Sequence, residues 1–179
     1  MASKQFELAM ECKRQSESAL YTSTALFIWL RFLRWVRVLF VVLPLVLGSL
    51  ATWKLLTTSD LPSVRTFAVV CAFFAGLLPT IYAALKMDGH LNECRQLAGE
   101  FKNLQDRFRM VAQVSSQKSF AEFEAGVEPL MQRLELARSV SFTAPEWCFK
   151  RGQAKVKSGD YDFDVDIAHD GKQETSELN

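Results

Sequence analysis

The residues best suited to nucleophilic, redox or metal chemistry in this 179-residue chain are four cysteines and two histidines. Cys12, Cys71, Cys94 and Cys148 are widely spaced, with no Cys-x-x-Cys pair, and Cys71 lies inside an apolar run. Zinc sites and disulfide frameworks need clustered ligands or paired thiols, so this spacing points to neither and fits reduced thiols facing the cytosol. His90 falls one heptad step before Cys94, where a seam or interface role outweighs metal binding, and neither His90 nor His169 sits near a Ser or Cys in a nucleophile motif. Asp160, Asp162, Asp164 and Asp166 alternate as in a calcium loop, but Val165 stands where the loop needs Gly and Gly171 where it needs Glu. Glycine-rich phosphate loops, nucleophile elbows and HExxH pairs do not occur, so no enzyme activity, cofactor or metal is expected.

The remaining chemistry is electrostatic. A formal net charge of +1 gives no bulk argument for nucleic-acid binding. Residues 150–157 carry four Lys/Arg and no acid, whereas residues 158–179 carry seven Asp/Glu against Lys172 alone, a basic knuckle followed by an acidic tail. Arg31, Arg34 and Arg37, with Lys86, have two readings: phosphate anchors that fix topology, or an ion-selecting ring at the mouth of an oligomeric pore. The anchor is the commoner use of such residues.

Two apolar segments position these charges. Thr66–Leu85 is twenty residues without a charge, bracketed by Arg65 and Lys86, and as a helix it would rise about 30 Å, the thickness of a bilayer's hydrocarbon core. Val38–Trp53 alone would reach only about 24 Å; if Lys54 snorkels, the span grows to Leu56 and about 28 Å, with Trp35 and Trp53 as interfacial anchors and Pro44 as a kink. A signal peptide would have an n-region of more than thirty-five residues containing Glu7, Glu11 and Glu17, which is the wrong shape. Two buried helices of a soluble bundle are the remaining competitor, disfavoured because both runs are apolar all round. Six basic residues flank the outer ends of the spans (Arg31, Arg34, Arg37, Lys86, Arg95, Lys102) against Lys54 and Arg65 at the connector, which places both termini in the cytoplasm. Thr57–Ser59, Asp60 and Pro62 then form an external turn. Gly48 and Thr52 on the first span, and Ala68, Ala72 and Gly76 on the second, recur at four-residue spacing and suit contact within the hairpin or between subunits.

Beyond Lys86 the pattern becomes periodic, and the second span is expected to continue as one helix despite Gly89 and Gly99. Cys94, Leu97, Phe101, Leu104, Phe108 and Val111 form one coiled-coil seam. After a polar break at Ser115–Ser119, Phe120, Phe123, Val127, Leu130, Leu134 and Ala137 form another. Helices over 87–114 and 119–141 are therefore expected as an antiparallel cytosolic hairpin, the second interrupted or kinked near Val127 by Gly126 and Pro129. An N-terminal helix over 4–24 and an interfacial lead-in over 25–37 precede the spans 38–56 and 66–85. In the tail, Tyr161, Phe163, Val165 and Ile167 alternate with aspartates, the period of a short strand or extended peptide that could dock on a partner. The fold class is thus an all-α membrane protein: a two-helix transmembrane hairpin, an N-terminal helix, a cytosolic helical hairpin or coiled coil, and a strand-like tail.

The order of a polar helix, two spans and a helix pair containing FKNLQDRFRM (Phe101–Met110) and FAEFEAGVEPLMQRLELAR (Phe120–Arg138), then APEWCF (Ala144–Phe149) and KVKSGDY (Lys155–Tyr161), resembles the SLATT family. These are two-transmembrane effectors associated with nucleotide-second-messenger synthases and SLOG sensors in bacterial conflict systems. The resemblance covers residues 5–161 and implies an effector domain over 1–149 followed by a tail over 150–179. It also implies antiphage function in the bacterial inner membrane, with pore formation or membrane disruption that arrests or kills the cell. Partners would be the lipid bilayer, further copies of the chain, and a separate nucleotide-sensing or nucleotidyltransferase protein supplying the trigger. Ser49, Thr52, Cys71, Thr80 and Tyr82 are the polar residues available to line a path. A non-conducting adaptor and a holin-like lysis protein are the alternatives.

Overall fold

A computed structural model describes residues 2–57, 62–114, 119–140 and 143–158, and within them every regular element is helical. In chain order these are α1 (Ala2–Thr57), α2 (Pro62–Ala84), α3 (Met87–Val114), α4 (Phe120–Ser139) and α5 (Glu146–Lys157). The turn expected through Ser59 and Asp60, most of the break at Ser115–Ser119, and the alternating tail beyond Gly159 lie outside the described residues.

The longest element is also the organising one. The expected N-terminal helix (4–24), lead-in (25–37) and first span (38–56) are a single helix of 56 residues, about 84 Å long. One apolar seam passes through all three segments: Cys12, Ala19, Leu26, Leu30 and Leu33 are buried in the lower half, and Leu47 and Ala51 pack at the other end. No glycine or proline interrupts the helix before Pro44, which leaves no local reason for it to stop where its composition changes from polar to apolar.

The chain then returns along this spine twice over. Leu47 and Ala51 of α1 meet Ala68 and Cys71 of α2, so the two apolar helices form an antiparallel hairpin. Continuation of the second span into the next helix does not hold: α2 ends at Ala84, and Lys86 adopts φ 47 before α3 begins at Met87. A left-handed lysine costs about 1–2 kcal/mol, and the break is clamped on both sides. Tyr82 Oη donates to Asp88 Oδ1 at 2.7 Å, and Arg37 Nε lies 3.4 Å from the same oxygen. From there α3 runs antiparallel to the lower half of α1, with the Cys94 thiol donating to the Leu26 carbonyl at 3.6 Å and the Ser16 hydroxyl donating to the Gln105 carbonyl at 3.1 Å.

The helix α4 folds back on α3 as expected, where Arg133 donates through Nε and Nη2 to Glu100 Oε1 at 3.1 and 2.6 Å. The interruption expected near Val127 is absent. Pro129 and Ala125, whose carbonyl loses its donor, both sit on the exposed side of α4, while Val127 on the other side is buried. The basic knuckle is helical: α5 starts after Pro145 and packs on α1, so a domain boundary at 149/150 falls inside a helix. The two helices come close at Gly152, where a Cβ would lie in van der Waals contact, 3.4 Å from the Ala25 backbone nitrogen.

The lower half of α1 therefore makes a bundle with α3 and α4 around Phe108, Phe123, Leu104 and Leu134, all among the most deeply buried side chains, and α5 packs on α1 beside it. Each such side chain contributes about 1.5–3 kcal/mol by leaving water.

Candidate functional site

The molecule has a part whose surface is itself the anomaly. Two helices are long and apolar enough to cross a membrane, and only 11% of the most apolar stretch of each is buried within the chain. The core helix of a soluble bundle would hide most of such a stretch; here large side chains such as Val69 and Phe73 face outward while Ala51, Ala68 and Cys71 make the contact between helices. Small residues at the contact let the backbones approach, and large ones are left for the surroundings.

Of the small residues singled out from sequence, only Ala68 belongs to this contact. Thr52, Ala72 and Gly76 are exposed, Gly48 is half-buried, and nothing lies within 4 Å of a Cβ placed at Gly48 or Gly76. Ala51 on α1 makes the contact where the four-residue spacing offered Thr52, and Cys71 on α2 where it offered Ala72. The signal was present in the alternation of Val64, Ala68, Cys71, Ala75, Leu78 and Tyr82, every one of them at least half-buried, a 4-3-4-3-4 seam obscured by apolar residues on every side.

The small residues left over are not scattered. At about 100° per residue, and with the helices antiparallel, Gly48, Ser49 and Thr52 of α1 project to the same side of the hairpin as Ala72, Gly76 and Thr80 of α2. The α1 group lies toward the loop end and the α2 group toward the bundle. The opposite side carries Val46 and Leu50 of α1 with Val70, Phe74 and Ile81 of α2, all exposed. The hydroxyls are satisfied within their own helices: Ser49 donates to Leu45 O at 2.8 Å, Thr52 to Gly48 O at 2.9 Å and Thr80 to Gly76 O at 3.1 Å. Such back-bonding lets a hydroxyl sit in an apolar medium while keeping lone pairs for a neighbour or for water. Two of the five polar residues considered for a path do not join this face. Cys71 is buried in the hairpin contact, and Tyr82 is occupied by Asp88.

The basic residues separate into distinct environments. Arg37 pairs with Asp88 across the α2–α3 break, and Lys86 forms that break. Arg31 and Arg34 are exposed, and Arg31 lines a groove between α1 and α5 together with Arg151 and Lys155. Trp147 of α5 meets Trp29 at 6.0 Å and Phe32 at 5.7 Å, both edge-on, and the Arg151 guanidinium lies 5.6 Å from the Trp147 ring centre. Sequence reading treated 150–157 as a charged tail and missed this arrangement. Its signal was the four-residue step from Cys148 to Gly152, a small stripe on an otherwise charged helix.

The seams of α3 and α4 are spent inside the subunit. Leu97, Phe101, Leu104, Phe108, Phe123, Val127, Leu130 and Leu134 are buried in one core with α1, and Val111 packs against it half-buried. The physical reason is the third helix: α1 covers the seam of α3 that an isolated two-helix hairpin would have offered to another copy. The thiols are equally enclosed. All four cysteines are free and buried, and desolvation pushes Cys12 and Cys94 up to about 11 and raises Cys148, which holds all three protonated at neutral pH. No group of His, Cys, Asp and Glu suited to a metal ion occurs among the described residues.

No family model, curated protein or solved structure matches the chain.

Proposed function

We propose that this chain is a bacterial inner-membrane effector. Its hairpin spans the bilayer with both termini and the bundle in the cytoplasm, and copies assemble through the small-residue side of the hairpin to open or thin the membrane. The reading joins the resemblance to the SLATT family with one observation that supports it: the hairpin's two sides differ, one uniformly large and apolar, the other holding Gly48, Ser49, Thr52, Ala72, Gly76 and Thr80. A single hairpin cannot enclose a water-filled path, so conduction requires several subunits, and small residues are where membrane helices approach most closely. Three hydroxyls per subunit make a narrow, weakly polar path. The arginines at 31, 34 and 37 hold the cytoplasmic end at the phosphate layer, and the chemistry of the trigger belongs to a separate nucleotide-sensing or nucleotidyltransferase partner. In this reading the protein catalyses no reaction.

Controlled expression in a bacterium, with and without a candidate trigger protein, tests this through membrane potential and dye entry. Trigger-dependent depolarisation is the expected outcome. Unchanged potential despite full membrane expression and an active trigger identifies a non-conducting adaptor, and leakage without any trigger identifies a holin-like protein. Gly76→Leu reduces both oligomer size and depolarisation if the small side is the assembly surface. It leaves the bundle's melting temperature unchanged, because Gly76 is remote from that core.

A further inference from the structure

The groove between α1 and α5 gathers positive charge, and two of its cations, Arg31 and Arg151, stand there without an ion-pair partner among the described residues. Its volume is about 590 Å³, and among the described residues its charged lining is Arg31, Arg151 and Lys155, with no carboxylate. Neither Arg31 nor Arg151 has a carboxylate partner among the described residues, whereas Arg37 and Arg133 elsewhere each do. Like charges brought to one concavity repel, and a docked anion removes that cost. The rest of the wall is aromatic and apolar: Phe32, Trp35 and Trp147 all stand exposed at this level of the molecule.

Position selects among anions. Trp35 is 71% exposed and lies three residues, about 4.5 Å of helix, before Val38, where the lipid-facing band begins. The groove is therefore continuous with that band at one end and with the polar bundle at the other. An exposed tryptophan beside arginines at the end of a span is the arrangement that meets the headgroup layer, with rings among the upper acyl chains and cations at the phosphates. We infer that the α1–α5 groove is a binding site for an anionic phospholipid of the cytoplasmic leaflet. The phosphodiester is held by Arg31, Arg151 and Lys155, and the glycerol and upper acyl chain lie against Phe32, Trp35 and Trp147. Guanidinium groups suit this ligand because they donate in a planar fork to two phosphate oxygens. Since α5 contacts chiefly α1, a lipid bridging both helices ties the end of the bundle to the base of the first span.

The inference rests on the membrane reading and fails separately from it. The test uses the full chain purified in detergent and titrated with phosphatidylglycerol or phosphatidylcholine, with bound lipid counted by native mass spectrometry. The wild type is expected to retain one phosphatidylglycerol with a preference of about tenfold over phosphatidylcholine, equivalent to about 1.4 kcal/mol. The combined variant Arg31→Gln, Arg151→Gln, Lys155→Gln loses that preference, while Lys4→Gln, Lys13→Gln, Arg34→Gln, which removes the same charge outside the groove, keeps it. Arg31→Gln alone, an exposed change on an intact helix, weakens the preference even if the triple variant melts early. Equal retention of both lipids by the wild type, or a preference that survives Arg31→Gln and the triple variant, overturns the inference. Displacement of the lipid by millimolar inorganic phosphate also overturns it, by making the site one for free phosphate. A chain that stays monodisperse without detergent refutes the membrane reading instead, whereas a detergent-bound chain indifferent to phosphatidylglycerol refutes only the groove.

Discussion

The hairpin and the bundle share one helix, α1, yet bury opposite kinds of side chain. In the bundle, Phe108 and Phe123 are both 0% exposed and charged residues cover the outside. In the hairpin, Phe73 is 63% exposed while Ala68 is 1% exposed. A single rule produces both patterns once the solvent is allowed to differ. In water, large apolar side chains gain most by burial, so they fill the core; among acyl chains they gain nothing by burial, so contacts go to the residues that let backbones come close. In the proposed membrane placement the 56-residue helix passes from one medium to the other without a break, because backbone hydrogen bonding is satisfied within a helix in either.

The sharpest way to break this comparison is to truncate one aromatic residue in each region. Phe108→Ala is expected to cost the bundle about 3–5 kcal/mol, read as a large drop in its melting temperature by near-ultraviolet dichroism. Phe73→Ala leaves that transition where it is. Equal losses from the two substitutions would mean that the hairpin's outer surface is packed against protein.

A smaller effect separates the two kinds of alanine in α2. Ala68→Leu forces the helices apart and destabilises the hairpin by about 1–3 kcal/mol, measured as hairpin unfolding in bicelles by steric trapping. Ala72→Leu, on the exposed side, does not. If Ala72→Leu proves as damaging, the packing faces have been exchanged.

The bundle's thiols give a pH test. Burial raises Cys12 and Cys94 from 9.0 to about 11, so the folded chain holds protons that the unfolded chain releases. Their contribution to stability is complete below pH 9.0 and is lost as the pH rises through about 11. The bundle's melting temperature is expected to decline across that window, and Cys12→Ala with Cys94→Ala makes the decline shallower. An identical slope in the variant would show that other groups cause it.

The smallest effect belongs to the Glu100–Arg133 pair, about one-third exposed on each side. Arg133→Ala is expected to cost no more than about 1 kcal/mol, a loss that shrinks at high salt. A larger, salt-insensitive loss would place this pair in the core energetics.

Much of the fold was legible because hydrophobic period and run length are local properties. The two apolar runs and the seams at Leu97–Phe108 and Phe123–Leu134 could be read from spacing alone. Three features were not legible, each for its own reason. The continuity of α1 was hidden because its composition changes while its seam does not, and composition is the louder signal. The break at Lys86 depends on a backbone angle, φ 47, that lysine rarely adopts and no residue type announces. The docking of α5 sets Gly152 against the backbone of Ala25, a long-range pairing that local spacing cannot show. In the candidate site, Ala68 was identified, but Ala51 and Cys71 were not assigned to the contact, because in an all-apolar helix a seam has no polar background to stand against.

The account turns on which medium surrounds each region, and nitroxide accessibility in lipid vesicles measures that directly. Spin labels at Val46, Val70 and Phe73 are expected to collide freely with dissolved oxygen and hardly at all with a water-soluble nickel chelate, and labels at Met110 and Leu136 to show the reverse. Ready access of the nickel chelate to positions 46 and 70 would contradict the account, since those side chains would then face water.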